Sequence, residues 1–152
     1  MNHMNALQQQ IDDYRRLLGI QCEQREIWLE NGALKPGSFK QSDSGLHLLD
    51  LEYRLVLAIE RLHNDQAGLL ILLVYQFSTT VDREGLEDIS FSVDSNDEHT
   101  VDVEFSMGVR EPVYVVPVDN SPIIFDGQQW GFGDGSINVA EVLAGVTVER
   151  KS

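Results

Sequence analysis

Ser44, His47 and Asp50 follow one another at three-residue intervals, and together they hold the types needed for a hydroxyl nucleophile, its base and an orienting carboxylate. A catalytic triad is defined by geometry, however, and no nucleophile-elbow sequence surrounds the serine. Carboxylate pairs are more plentiful. Asp50 with Glu52, and Asp102 with Glu104, stand two residues apart in strand-like stretches, so each pair shares one face. General acid–base work needs a cleft that shifts one member's pKa, and the wet face of a sheet explains both pairs more simply. Asp94-Ser95-Asn96-Asp97-Glu98-His99 has the look of a calcium loop, but His99 stands where the turn glycine belongs and Phe105 where the bidentate glutamate belongs. A polar hairpin turn is the simpler reading. Gly131, Gly133 and Gly135 fit neither nucleotide fingerprint, no lysine lies near, and Asp134 would repel a phosphate; a turn or mobile stretch is expected there.

His3, His47, His63 and His99 show no metal-ligand spacing with one another or with the single cysteine, Cys22. No intrachain disulfide can form, and Cys22 is expected to pack as a small apolar side chain. No catalytic residue, cofactor or metal is therefore expected. Trp28 and Trp130 are better candidates for function, because tryptophan is enriched at the centres of interfaces.

The elements that must position these residues follow from periodicity. Met4, Leu7, Ile11, Tyr14 and Leu18 recur on one helical face, with Gly19 as the stop. Glu26–Leu29 alternates and meets Asn31-Gly32, a strand entering a turn. Residues 35–45 have loop composition, long enough to suggest a working or mobile loop. Leu49, Leu51, Tyr53, Leu55, Leu57 and Ile59 form one continuous apolar strand face. Ala67–Phe77 is leucine-rich and follows Asn64-Asp65, which favours a central helix with an Asn/Asp cap, packed on the sheet and partly available to another subunit. Ile89–Val93 and Val101–Val109 make a hairpin, and Val113–Val118 a further strand that Pro112 and Pro117 push to an edge or into an arm. Asp126-Gly127 is a hairpin signal, and Ala140–Val148 has weak strand or helix preference. The expectation is one α+β domain over residues 1–152. It holds a mixed or antiparallel sheet of about five strands, an N-terminal helix and a central apolar helix, with residues 112–152 as an arm and hairpin.

A formal net charge of −14 speaks against a nucleic-acid or anionic-membrane partner, because both need a basic surface to release counterions. The acidity is concentrated: residues 77–152 carry 4 Lys/Arg against 15 Asp/Glu. Its simplest use is solubility and suppression of wrong contacts. The longest apolar run, Ala67–Tyr75, is too short to span a bilayer. The first residues, MNHMNALQQQ, have neither the basic start nor the apolar stretch of a secretory signal, so folding in the cytoplasm is expected.

The order of features resembles the gpR-type tail-completion proteins of contractile-tailed temperate phages. The residues that carry it are the leading helix, Ile27-Trp28-Leu29-Glu30-Asn31-Gly32, the alternating strand Leu51–Ile59, the apolar helix Ala67–Phe77, the hairpin Ile89–Val109 and the trailing Ile123–Trp130, about residues 4–130 in all. The resemblance implies a structural, non-enzymatic protein of a phage or prophage, related to tail terminators. Such a protein acts at the head-proximal end of the tail, in tail completion or termination and head–tail joining. It implies a homo-oligomeric ring and partners among tail tube, sheath or head–tail connector proteins, with localisation in the host cytoplasm during assembly and then in the virion tail. Trp28, Asn31, Gly32 and Trp130 are the interface residues expected. A small acidic protein-binding adaptor is the alternative, with residues 35–45 as its recognition loop, and a carboxylate-dependent hydrolase the more remote one.

Overall fold

The computed structural model describes residues 2–133. In chain order, α1 (Asn2–Asp13) and α2 (Arg15–Leu18) precede β1 (Arg25–Pro36), β2 (Gln41–Ser42) and β3 (Gly45–His63). Then come α3 (Ala67–Ser78), β4 (Ser90–Ser95), β5 (Thr100–Pro117), β6 (Ile123–Phe125) and β7 (Gln128–Phe132). The strands form one seven-stranded sheet of order β1-β3-β5-β7-β6, with β2 paired to β3 and β4 to β5. The class is α+β. Seven strands stand where about five were expected, because the segment 35–45 and the region after Pro117 pair into short pieces.

The chain divides into two compact units. One comprises Asn2–Gly32 and Glu52–Arg110. Its core is drawn from α1 (Leu7, Ile11), the apolar face of β3 (Tyr53, Leu55, Leu57, Ile59), α3 (Leu70, Leu73, Val74, Phe77) and alternate residues of β5 from Val101 to Val109, all buried. The sequence periodicities of 3.6 and 2 meet here. Gly19 ends the helical segment in a left-handed conformation, φ 70°, a cap that glycine takes without a Cβ penalty. The single helix expected from Met4 to Leu18 breaks at Tyr14, which is 37% exposed rather than buried with Leu7, Ile11 and Leu18. The cap of α3 also differs from expectation. Asn64–Gln66 forms a 3-10 turn, and the position before α3 is Gln66, which makes no side-chain capping bond.

The other unit comprises Ala33–Leu51 and residues 111–133. Its described buried apolar residues are two, Val113 and Val115. β2 and β3 form a tight hairpin, with Ser42 opposite Gly45. The Gly37 and Phe39 N–H groups donate to the Leu48 and His47 carbonyls, and the His47 N–H to Lys40. The expected working loop is thus laid along β3 and paired to it. β6 and β7 form a second hairpin around Asp126-Gly127, with φ 52° and 74°, the double left-handed geometry of a type I′ turn.

Two strand boundaries correct the sequence reading. β1 does not turn at Asn31-Gly32 but runs on to Pro36. Asn31 has φ 55° while Gly32 does not share a positive φ, so the two-residue type I′ condition is not met. Nor is Val113–Val118 a separate edge strand, for β5 continues through Pro112. On one side β5 pairs β4 over Val101–Ser106 and β7 over Val115–Pro117. Pro112 falls in the gap between those partners, where its missing N–H breaks neither ladder. The expectations for Gly135 and for Ala140–Val148 lie outside the described residues.

Candidate assembly surface

In the unit built on Ala33–Leu51 and residues 111–133, five segments converge on an apolar groove of about 310 Å³. Leu34 comes from β1, Leu49 and Leu51 from β3, Val113 and Val115 from β5, and Ile123, Phe125, Trp130 and Phe132 from the β6–β7 hairpin. No polar atom contributes to its surface. Leu34 is 71% exposed, and Ile124, Phe125 and Phe132 are also exposed. Exposed apolar side chains gathered in one groove make it the candidate contact surface of this unit. Among the described residues of this unit, the exposed large apolar side chains outnumber the two buried ones.

Trp130 enters the groove half-buried, its indole N–H donating to the Phe125 carbonyl at 3.3 Å. The bond ties β7 to β6 and presents the ring's apolar body. The other expected interface residues lie on β1, in the helical unit. Trp28 is half-buried and its indole N–H donates to Glu30 at 2.8 Å, while Asn31 and Gly32 are exposed. The groove's other lining residues escaped sequence reasoning, because they are spread over segments far apart in the chain. The one signal available was the bare apolar triplet Ile123-Ile124-Phe125 beside a hairpin turn.

A second apolar surface lies on α3, in the helical unit. Ile71, Leu72 and Tyr75 point outward, with Leu72 67% exposed. This fits the sequence pattern of a helix apolar on most sides.

Most of the polar candidates are engaged in local structure. His47 Nε2 lies 2.7 Å from Asp50 Oδ1, and His47 Nδ1 accepts from the Ser38 backbone N–H at 3.0 Å with the Ser38 hydroxyl also at 3.0 Å. The serine at the imidazole is thus Ser38. Ser44 instead directs its backbone N–H to the Ser42 hydroxyl. Glu52 accepts from Arg110, whose guanidinium also reaches Asp82 at 3.2 Å; these carboxylates raise the Arg110 pKa, Glu52 most. Asp102 accepts from the Arg61 backbone and the Asn96 amide, which lower its pKa in that order. Asp97 accepts the backbone N–H groups of His99 and Thr100, which hold its pKa down. That side chain closes the β4–β5 turn. Among the described residues no group of three or more His, Cys, Asp or Glu is arranged to hold a metal, and no helix is long and apolar enough to cross a membrane. Cys22 is exposed at the entry to β1 rather than packed inside.

The model of the P2 phage tail completion protein R (GpR) family matches residues 1–133. The chain belongs to that family. No curated protein and no solved structure matches. The family match extends the expected span by a few residues at either end and stops at Gly133, one residue beyond the groove's last lining residue. A tail completion family fixes a structural tail-assembly role and a place in the virion tail. It also suits a protein whose conspicuous surface is apolar and uncharged rather than a polar cleft.

Proposed function

We propose that this GpR-family chain completes the head-proximal end of a phage tail as a closed ring of identical subunits, assembled in the host cytoplasm and carried into the virion. The observation that carries the reading is the uncovered apolar groove beside Leu34, Phe125 and Trp130 in a chain of a tail completion family. A ring needs a heterologous, head-to-tail contact that closes by rotation, so one surface of each subunit must accept a different surface of the next. The tail tube, sheath or head–tail connector proteins are the partners that such a cap would meet. The acidic surface disfavours direct contact with DNA. No catalytic step is part of the reading, since Asp50, Glu52, Asp102 and His47 spend their hydrogen bonds on local structure.

Complementation tests it. A phage lacking its own gene for this protein, supplied with the wild-type chain, is expected to yield finished tails joined to heads in electron micrographs. Supplied with Leu34→Asp, it is expected to accumulate unjoined heads and tails. Normal particles from cells that lack the protein altogether would defeat the reading.

A further inference from the structure

We propose that the apolar groove is filled by residues 137–148 of a neighbouring copy. The inference rests on the head-to-tail ring proposed above and supplies its contact.

The groove's chemistry restricts its occupant. A surface with no polar atom offers nothing to an ion, a phosphate or a polar peptide, and rewards a run of aliphatic side chains. This chain supplies such a run beyond the described residues. The described chain ends at Gly133, immediately after Phe132, which lines the groove. Nineteen residues follow, and within 137–148 Glu141 is the sole charged residue. Val139, Val142, Leu143 and Val146 stand at i, i+3, i+4 and i+7, the spacing that gathers side chains on one helical face for docking into a groove. The charged residues Glu149, Arg150 and Lys151 lie after it.

Where the chain leaves the groove favours a neighbour over the same copy. The Gly133 N–H is held by the Tyr114 carbonyl, and its Cα lies so close to the Ser44 carbonyl that no Cβ would fit. The chain therefore exits at the β2–β3 turn, and Ser44 is not among the groove's lining residues. A head-to-tail ring passes this segment to a second copy. It gives every subunit one segment to donate and one groove to fill, as ring closure requires.

Sedimentation velocity of the full-length chain over a wide concentration range tests the proposal. The groove variant is Leu34→Asp, at an exposed position, with circular dichroism as the check on folding. The segment variant is Val142→Asp/Leu143→Asp. Wild type is expected to associate, and each variant to stay monomeric to at least about tenfold higher concentration. An equimolar mixture of the two is expected to form a dimer and nothing larger, because one intact groove and one intact segment remain. Association by the segment variant as strong as wild type, or a mixture that stays monomeric, would overturn the segment's role while leaving the ring standing. A monomeric wild type at every concentration would overturn both, without touching the complementation result for tail completion.

Discussion

Arg25 holds Asp12 with a two-pronged grip: its Nε and Nη2 each donate to a different carboxylate oxygen, both at 2.8 Å. The pair joins α1 to the start of β1, thirteen residues on. Paired N–H donors on a carboxylate are the stronger form of ion pair, and both side chains here are mostly covered. Asp12 titrates below its ordinary value of 3.8, chiefly because the Arg25 hydrogen bonds favour its charged form.

The pH dependence follows from that direction. On acidification the unfolded chain takes up a proton at this position before the folded chain does. The pair's contribution is complete well above pH 3.8, shrinks as pH approaches it, and is gone below the lowered folded value. Asp12→Asn is expected to cost about 1 kcal/mol at neutral pH, discounted for the pair's remaining exposure, and to flatten the acid limb of stability. Urea midpoints at pH 7 and pH 3 measure both effects. An unchanged acid limb would show that the pair adds no pH-dependent stability.

The two faces of α3 predict opposite outcomes for neighbouring leucines. Leu70 is fully buried, and Leu72 is 67% exposed. Leu70→Ala removes buried methyl groups and leaves a cavity, for which about 2–5 kcal/mol is typical. Leu72→Ala is expected to change stability by less than about 0.5 kcal/mol. Thermal or denaturant unfolding of the two variants side by side decides it, and equal losses would show that α3 is oriented otherwise.

Two glycines separate packing from contact. A Cβ on Gly37 would lie 2.5–2.8 Å from backbone atoms of His47, Leu48 and Leu49, so Gly37→Ala must push the segment off β3. A loss above about 2 kcal/mol is expected, in the range of overpacking a tight site. Gly32 has no neighbour within 4 Å and no positive φ. Gly32→Ala is therefore expected to be neutral or to stabilise by up to about 1 kcal/mol through the unfolded chain. Because it leaves the fold alone, a tail-completion defect in Gly32→Ala would mark β1 as a contact surface.

The same residues show what sequence could tell. Gly19, the Leu49–Ile59 alternation, the Asp94–His99 turn and Asp126-Gly127 were legible, because each is a local rule satisfied by its own neighbours. Asn31-Gly32 and Pro112 misled for the converse reason. Their effect depends on partners distant in sequence: β1 extends past a residue at positive φ, and β5 tolerates proline in the gap between β4 and β7. The groove was hidden on the same account. Leu34, Leu49, Val113 and Phe125 are unremarkable in their own segments and become a surface when five segments meet. Trp130, named from the sequence on its type alone, is one of the residues that line it.

His47 offers a last test, because it bears on both structure and chemistry. Its Nδ1 faces the backbone N–H of Ser38, a donor that cannot rotate away, so this nitrogen is the acceptor and Nε2 carries the proton toward Asp50. That tautomer makes the imidazole a bridge between the segment after β1 and the first third of β3. Removing it with His47→Ala severs both ends. Amide exchange at Gly37 and Phe39, whose N–H groups pair with Leu48 and His47, is expected to quicken about tenfold, which corresponds to about 1.4 kcal/mol of local opening. Were His47 instead a working base, Ser38→Ala and His47→Ala would lower an ester-hydrolysis rate together. The expected result is a rate at background in all three proteins, with the exchange difference intact. A rate above background in wild type that both substitutions abolish would return Ser38, His47 and Asp50 to the candidates for catalysis.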